Sequence, residues 1–140
     1  NADLILASNV FAHSNNLKEM AECMLSLLRD KGTIVIEVQY LMNTLKDLTF
    51  DNIYHEHYNY WSLTSLINFF KQFNASIFKA EKIDTHGGSL RVYIKKGKKN
   101  KISSSVKKNK LIKFLIKFKY FLLLHWHFFQ FGKSLKIFHF

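Results

Sequence analysis

Two short apolar runs separated by one amphipathic segment constrain the fold of this chain more than any other feature. Residues 2–7 and 33–38 are rich in Leu, Ile and Val, so both predict strands covered on both faces. Between them, apolar residues recur at helical spacing, which predicts one helix. A strand, a helix and a strand of this length form a right-handed parallel crossover. The sequence therefore predicts an α/β fold that opens with a βαβ unit.

The predicted helix has signals at both ends. Asn16 can cap its amino end, with Glu19 in the position of a capping box. Gly32 stands where a left-handed cap would end the helix. Cys23, the only cysteine, is interpreted as a small buried apolar side chain. The apolar stripe of the helix consists of Leu17, Met20, Ala21, Met24 and Leu28.

The following segment predicts a second helix and two more strands after a long loop. Ser62 or Thr64 can cap this helix, whose buried stripe is Leu63, Leu66, Ile67, Phe70 and Phe73. Residues 75–82 predict a third strand and residues 89–94 a fourth, which alternates cleanly between apolar and polar side chains. Because only a short turn at 84–88 joins these strands, they must be antiparallel.

The densest group of proton-handling side chains follows the second predicted strand. Residues 54–57 place Tyr, His, Glu and His in succession, and a carboxylate beside an imidazole can orient the ring and stabilise its charged form. Open α/β sheets bind ligands beyond the carboxyl ends of their strands, and the segments that leave those ends are 7–16 and 39–61. His13 is therefore expected at the same rim. The alternative is a polar loop whose histidines are merely solvated.

Charge divides the chain into two unequal parts. Residues 1–94 carry 8 Lys and Arg against 10 Asp and Glu, whereas residues 95–140 carry 13 Lys and no acidic residue, so the net charge of +11 belongs to the last third. The longest uncharged run there is shorter than the roughly 20 residues that span a bilayer. We divide the chain into residues 1–96 and a Lys/Phe-rich tail, 97–140, which is helical or disordered. The tail is dominated by residue types that A/T-rich codons encode, which suggests a frameshifted or unselected reading frame.

Three motifs in order resemble one family: residues 9–13 (NVFAH), 54–57 (YHEH) and 85–91 (THGGSLR). Residues 1–94 resemble the C-terminal half of the catalytic domain of the S-adenosylmethionine-dependent C-methyltransferases that act on nucleotide-linked keto-deoxysugars. The resemblance implies a partial class I methyltransferase sheet, which is Rossmann-like. The strands here would be its fourth to seventh, with the last one antiparallel.

The resemblance also implies a reaction and a set of roles. A member of this family removes a proton from the sugar carbon next to a ketone, and the enolate attacks the methyl group of the sulfonium, a step that requires no metal. His57 would be the general base, with Glu56 and Tyr54 positioning the base or the sugar. His13 would contact the sugar.

Two further residues are assigned by the same resemblance. Asn9 is expected on the cofactor side of the cleft and His86 on the substrate side. The alternative for His86 is a tight turn in which the following glycines adopt positive φ. Arg91 could meet a phosphate or belong to a solvated strand face.

Several features of the family have no counterpart in this sequence. A single cysteine cannot form the family's four-cysteine zinc-binding region. The glycine-rich loop and the acidic residue that hold S-adenosylmethionine are also absent. The chain is therefore interpreted as a fragment of a cytoplasmic enzyme, with an incomplete cofactor site and no activity alone.

Two alternatives come from other functional classes. His55, Glu56 and His57, with His13 and His86, supply enough ligands for Zn²⁺ or Fe²⁺. The basic tail could instead bind an anionic membrane or nucleic acid, although no nucleic-acid partner is expected for the ordered part.

Overall fold

Four strands in one sheet and three helices make up the described part of a computed structural model, which covers residues 1–47, 57–85, 88–97 and 103–106. The strands are β1 (Ala2–Ser8), β2 (Leu28–Gln39), β3 (Ala75–Ile83) and β4 (Ser89–Lys96). The helices are α1 (Leu17–Leu27), α2 (Leu41–Asp47) and α3 (Leu63–Gln72), and a 3₁₀ turn at Phe11–His13 follows β1.

The sheet has the order β1-β2-β4-β3. β2 is parallel to β1, as a βαβ unit requires, and β4 is antiparallel to both of its neighbours. β4 therefore lies between β2 and β3, although it comes last in the chain. The predicted α/β architecture with an antiparallel last strand is confirmed.

The core lies on one face of the sheet. Ile34, Ile36 and Val38 of β2 are fully buried, and each faces an apolar partner on β4. Residues of α1 and α3 belong to the same buried cluster: Ala21, Met24, Leu63, Leu66 and Phe70. Burial of one such large apolar side chain stabilises the fold by about 1.5–3 kcal/mol relative to exposure.

The other face of β1 is exposed. Leu4 is 54% exposed and Leu6 is 67% exposed. The prediction that β1 is covered on both faces is therefore wrong for the described residues. The buried residues of α1 and α3 join the cluster that includes Ala7, which lies on the face of β1 opposite Leu4 and Leu6.

The predicted end of α1 is also wrong. The helix stops at Leu27, and Gly32 lies inside β2. A Cβ at Gly32 would lie 2.7 Å from Leu28 Cδ1 and 3.1 Å from the carbonyl oxygen of Ala2. Glycine is needed there because β1 and Leu28 approach closely.

The amino end of α1 differs in detail from the prediction. Asn16 is the N-cap residue, but its side chain donates to the carboxylate of Glu19 instead of accepting from the helix backbone. Cys23 is exposed rather than buried. It lies about 100° around the helix from Met24, which faces the core.

The amino end of α3 agrees with the sequence. The Ser62 hydroxyl accepts from the backbone N–H of Ser65 at 3.1 Å, and the Ser65 hydroxyl accepts from the backbone N–H of Ser62 at 2.9 Å. Of the predicted stripe, Leu63, Leu66 and Phe70 are buried. α2, in contrast, was expected to be part of the long loop. Its seven residues are too few for a periodic pattern.

Part of the tail contacts the edge of the sheet. The backbone N–H of Ser103 donates to the carbonyl of Phe78 at 2.9 Å, and that of Ala80 donates to the Ser105 hydroxyl at 3.4 Å. Val106 is buried. None of the helices in the described ranges is long and apolar enough to cross a membrane.

The two candidate caps of α3 can be separated by mutation. Ser62→Ala removes the acceptor for the Ser65 N–H and should lower the free energy of unfolding by about 1 kcal/mol. Thr64→Ala, the matched control, should cost less, since Thr64 lies inside the helix. Urea denaturation of both variants measures the difference, and equal losses would contradict the assigned cap.

Candidate functional site

The carboxyl ends of β1 and β2 meet because the strands are parallel. Ser8 pairs with Glu37, and the backbone N–H of Asn9 donates to the Glu37 carbonyl at 2.9 Å. Asn9 has φ 55°, a left-handed conformation that asparagine adopts more readily than most residues. The chain therefore turns away from the sheet directly after β1 and enters the 3₁₀ turn that carries His13.

The structure brings His13 and His57 together at this rim. Their ring centroids lie 4.7 Å apart and their planes are inclined by 49°. The ring of Tyr60 is perpendicular to that of His57 at a centroid distance of 5.8 Å. His13 is exposed and His57 is half-buried, so substrate can reach the pair. A neutral imidazole accepts a proton at one nitrogen and donates from the other.

An aromatic layer supports the pair. Phe11, two residues before His13, is fully buried, and its ring centroid lies 5.4 Å from that of Trp61 and 5.8 Å from that of Phe70. Trp61 itself is buried. The segments that carry the two histidines are thus anchored to α3 by apolar packing.

Of the other predicted site residues, the structure describes only Asn9. Asn9 lies at the rim, beside the 3₁₀ turn. Tyr54, Glu56 and His86 lie outside the described residues, as does His55. Their proposed roles stay predictions.

Glu37 is a site residue that sequence reasoning missed. It is 8% exposed, and its carboxylate accepts from Arg91 Nε at 3.1 Å and Nη2 at 3.0 Å and from the Thr85 hydroxyl at 3.2 Å. The hydrogen bond to Glu37 raises the pKa of the Arg91 guanidinium. Neither sequence alternative for Arg91 included this ion pair with a buried carboxylate. The sequence signal for this ion pair was an acidic residue within an apolar strand, because a buried carboxylate needs a partner.

Residues of the connection between β3 and β4 are hydrogen-bonded to the carboxyl end of β2. The Thr85 carbonyl accepts from the Gly88 N–H at 3.0 Å and from the Ser89 hydroxyl at 3.0 Å. The Gly88 carbonyl in turn accepts from the Tyr40 N–H at 3.3 Å. These bonds, together with Glu37, join the connection to the end of β2.

Tyr40, at the end of β2, is not suited to act as a base near neutral pH. Burial raises the pKa of its phenol. The ammonium of Lys82 lies 5.2 Å from the ring centroid, in the range of a cation–π contact. Tyr40 therefore has a packing role at the end of β2.

The metal-site alternative depends on residues beyond the described ranges. Within those ranges, no group of three or more His, Cys, Asp or Glu side chains is arranged to hold a metal ion. His55, Glu56 and His86 are not among them. Metal analysis of the purified protein remains the direct test of this alternative.

Comparisons with known proteins agree with this architecture. Residues 1–80 match the family described as a methyltransferase domain. C-methyltransferase NovU of Streptomyces niveus is 36% identical over 92 residues, a match that covers 66% of this chain and 22% of NovU. The chain thus spans about a fifth of the length of that relative.

A solved structure shares the fold. It is a chain from the complex between the Haloferax volcanii Trm112 methyltransferase activator and a proposed methyltransferase, with a TM-score of 0.57 and 13% identity over 71% of this chain and 56% of that chain. At this identity the likeness concerns the fold alone.

Two glycines allow the packing at the β3–β4 connection to be tested. Gly88 and Gly97 both have positive φ, of 104° and 89°. A Cβ at Gly88 would clash with Asn43 Nδ2, whereas a Cβ at Gly97 would meet nothing within 4 Å. Both changes to alanine impose a positive φ on a residue with a side chain, and Gly88→Ala should cost about 1 kcal/mol more because the Asn43 amide must also move aside.

Urea unfolding of the two variants measures that difference. Adding Asn43→Ala to Gly88→Ala removes the clashing amide and should recover part of the lost stability. Equal costs for Gly88→Ala and Gly97→Ala would contradict this expectation, because the Asn43 amide would then move aside without loss of stability.

Proposed function

The chain belongs to the methyltransferase domain family, and from that premise we propose that it supplies the proton-handling part of an S-adenosylmethionine-dependent C-methyltransferase that acts on a nucleotide-linked keto-deoxysugar. The observation that carries the proposal is the pairing of His13 and His57 at the rim of the βαβ unit. The similarity to a C-methyltransferase supports a carbon acceptor.

A carbon acceptor explains why two imidazoles are needed. The proton on a carbon next to a ketone is only weakly acidic, so a base must be held within about 3 Å of it. His57 takes this proton on an imidazole nitrogen, the C–H bond breaks, and its electron pair passes into the enolate. His13 donates a hydrogen bond to the enolate oxygen, where negative charge develops.

The remaining assignments complete this proposal. Glu56 and Tyr54 orient the base or the sugar, and His86 contacts the sugar from the β3–β4 connection. Thr85 and Gly88, on either side of the His86–Gly87 pair, are held to the end of β2 by hydrogen bonds. This attachment supports a location of His86 at the same rim as His57.

The described residues supply only part of a binding site for S-adenosylmethionine. Asn9 lies half-buried at the carboxyl end of β1, where open α/β sheets bind ligands. When bound, the cofactor supplies an activated methyl group whose sulfonium needs alignment rather than activation. The described ranges contain no glycine-rich turn from a strand into a helix, which would hold the carboxylate of the cofactor. We therefore propose that residues 1–96 are part of a larger catalytic domain.

This incomplete fit predicts weak cofactor binding. Isothermal titration of the 140-residue chain with S-adenosylmethionine should give a dissociation constant in the millimolar range or no measurable heat. NovU, titrated in parallel, serves as the positive control. Micromolar binding by a folded sample of this chain would contradict the proposal.

A chimera tests the function itself. In NovU, the 92-residue segment that matches this chain is replaced by the corresponding residues of this chain. Two readouts are the exchange of solvent deuterium into a keto sugar acceptor and the transfer of a labelled methyl group. His57→Gln should lower both rates by about 10²–10⁴-fold, the usual contribution of a general base.

The matched control is Tyr58→Phe, next to His57 in the chain. Tyr58 is 63% exposed, so loss of its hydroxyl should leave both rates unchanged. A folded chimera that neither exchanges nor transfers, or a His57→Gln variant with full activity, would refute the assignment.

A further inference from the structure

The two histidines lie on segments that no strand pairing connects. His13 ends the 3₁₀ turn after β1, and His57 belongs to the segment that leads into α3. Contacts between these two segments, together with their attachment to β2 and the core, therefore determine the ring separation of 4.7 Å.

Asn59 makes two such contacts. Its backbone N–H donates to the carbonyl of Ala12 at 3.3 Å, and its side-chain Nδ2 donates to the carbonyl of Ser14 at 3.1 Å. Ala12 and Ser14 are the residues on either side of His13. One residue, two positions after His57, thus holds the backbone on both sides of His13.

Apolar packing alone would not fix this arrangement. The Phe11 and Trp61 rings, with a centroid distance of 5.4 Å, hold the two segments against the core. Packed rings can slide and tilt with little change in contact area. Hydrogen bonds weaken steeply when donor and acceptor are misaligned. The two bonds from Asn59 therefore supply the directional constraint that the aromatic layer lacks.

We propose that Asn59 is a positioning residue that sets the distance and orientation of His13 relative to His57. Its catalytic consequence rests on the proposed function, in which His57 takes the proton while His13 donates to the enolate oxygen. A base displaced by about 1 Å can cost 10²-fold in rate. Asn59 acts through the two histidines.

The difference between the asparagine and aspartate side chains gives a specific test of the Asn59 hydrogen bond. The asparagine amide donates to a carbonyl oxygen, whereas the carboxylate of aspartate, nearly identical in shape, can only accept. Asn59→Asp therefore places two acceptors against the Ser14 carbonyl and breaks the bond without changing the volume. Asn15→Asp makes the same chemical and charge change at an exposed position of the adjacent segment and is the matched control.

The geometric part is tested on the 140-residue chain by nuclear magnetic resonance. Rings 4.7 Å apart should give a clear nuclear Overhauser effect between the imidazole protons of His13 and His57. We expect at least a threefold loss of its intensity in Asn59→Asp and no change in Asn15→Asp. Wild-type intensity in a folded Asn59→Asp chain would overturn the proposal. If that chain does not fold, the same nuclear Overhauser effect is measured in Asn59→Ala, which removes the donor without adding charge. Wild-type intensity in that variant would overturn the proposal.

The catalytic part is tested in the NovU chimera. Asn59→Asp should lower kcat for deuterium exchange by about 10–100-fold and leave KM within about twofold, because the substrate contacts remain while the pair is misaligned. An unchanged kcat would overturn the positioning role. If the chimera is inactive with Asn59 in place, the proposed function fails, and the ring-to-ring signal still decides whether Asn59 sets the histidine pair.

Discussion

The pairing of β2 on both of its edges is the constraint on which the rest of the structure depends. β2 pairs in parallel with β1 and in antiparallel orientation with β4. Its apolar side chains belong to the same core as the buried residues of the helices. Three features of the site begin at its carboxyl end. The chain leaves β1 opposite Glu37, the β3–β4 connection bonds to Glu37 and Tyr40, and α2 follows Tyr40 directly. Because one strand orders all three, they share one rim.

Glu37 shows how a buried charge can serve this role. A carboxylate that is 8% exposed is costly unless it is paired, and here Arg91 and Thr85 satisfy it from two different parts of the chain. The arrangement couples the strand to a connection that apolar contacts alone would leave weakly constrained. Loss of either partner would leave the other charge uncompensated at the end of β2.

Local patterns were sufficient where structure is decided locally. The alternation of β4 and the stripe and cap of α3 could be predicted because each depends on neighbouring residues. The boundary between α1 and β2 could not, because Leu28 pairs with Ala2 and draws residues 28–32 into the strand. Gly32 was misassigned for the same reason, since the extended strand places it against Leu28 and against the carbonyl oxygen of Ala2 on β1.

The site follows the same division between local and distant effects. That His13 and His57 would meet could be predicted, because both follow carboxyl ends of adjacent parallel strands. The role of Asn59 could not, since its acceptors are backbone carbonyls, which every residue possesses. Arg91 was equally ambiguous, because its partner lies 54 positions away in the sequence.

The contacts of the histidine pair bear on the order of events in the proposed reaction. Phe11, Trp61 and Asn59 hold His13 and His57 from the core side, and all five residues belong to two short segments of this chain. The groups proposed as base and oxyanion donor are thus held in place by residues of this chain. In the proposed reaction, proton removal is therefore separable from methyl transfer. An enolate formed before the methyl donor is aligned takes back a proton from the His57 imidazolium, whose N–H has meanwhile exchanged with solvent. Exchange of the acceptor proton with solvent is therefore the chemical consequence expected of the proposed reaction.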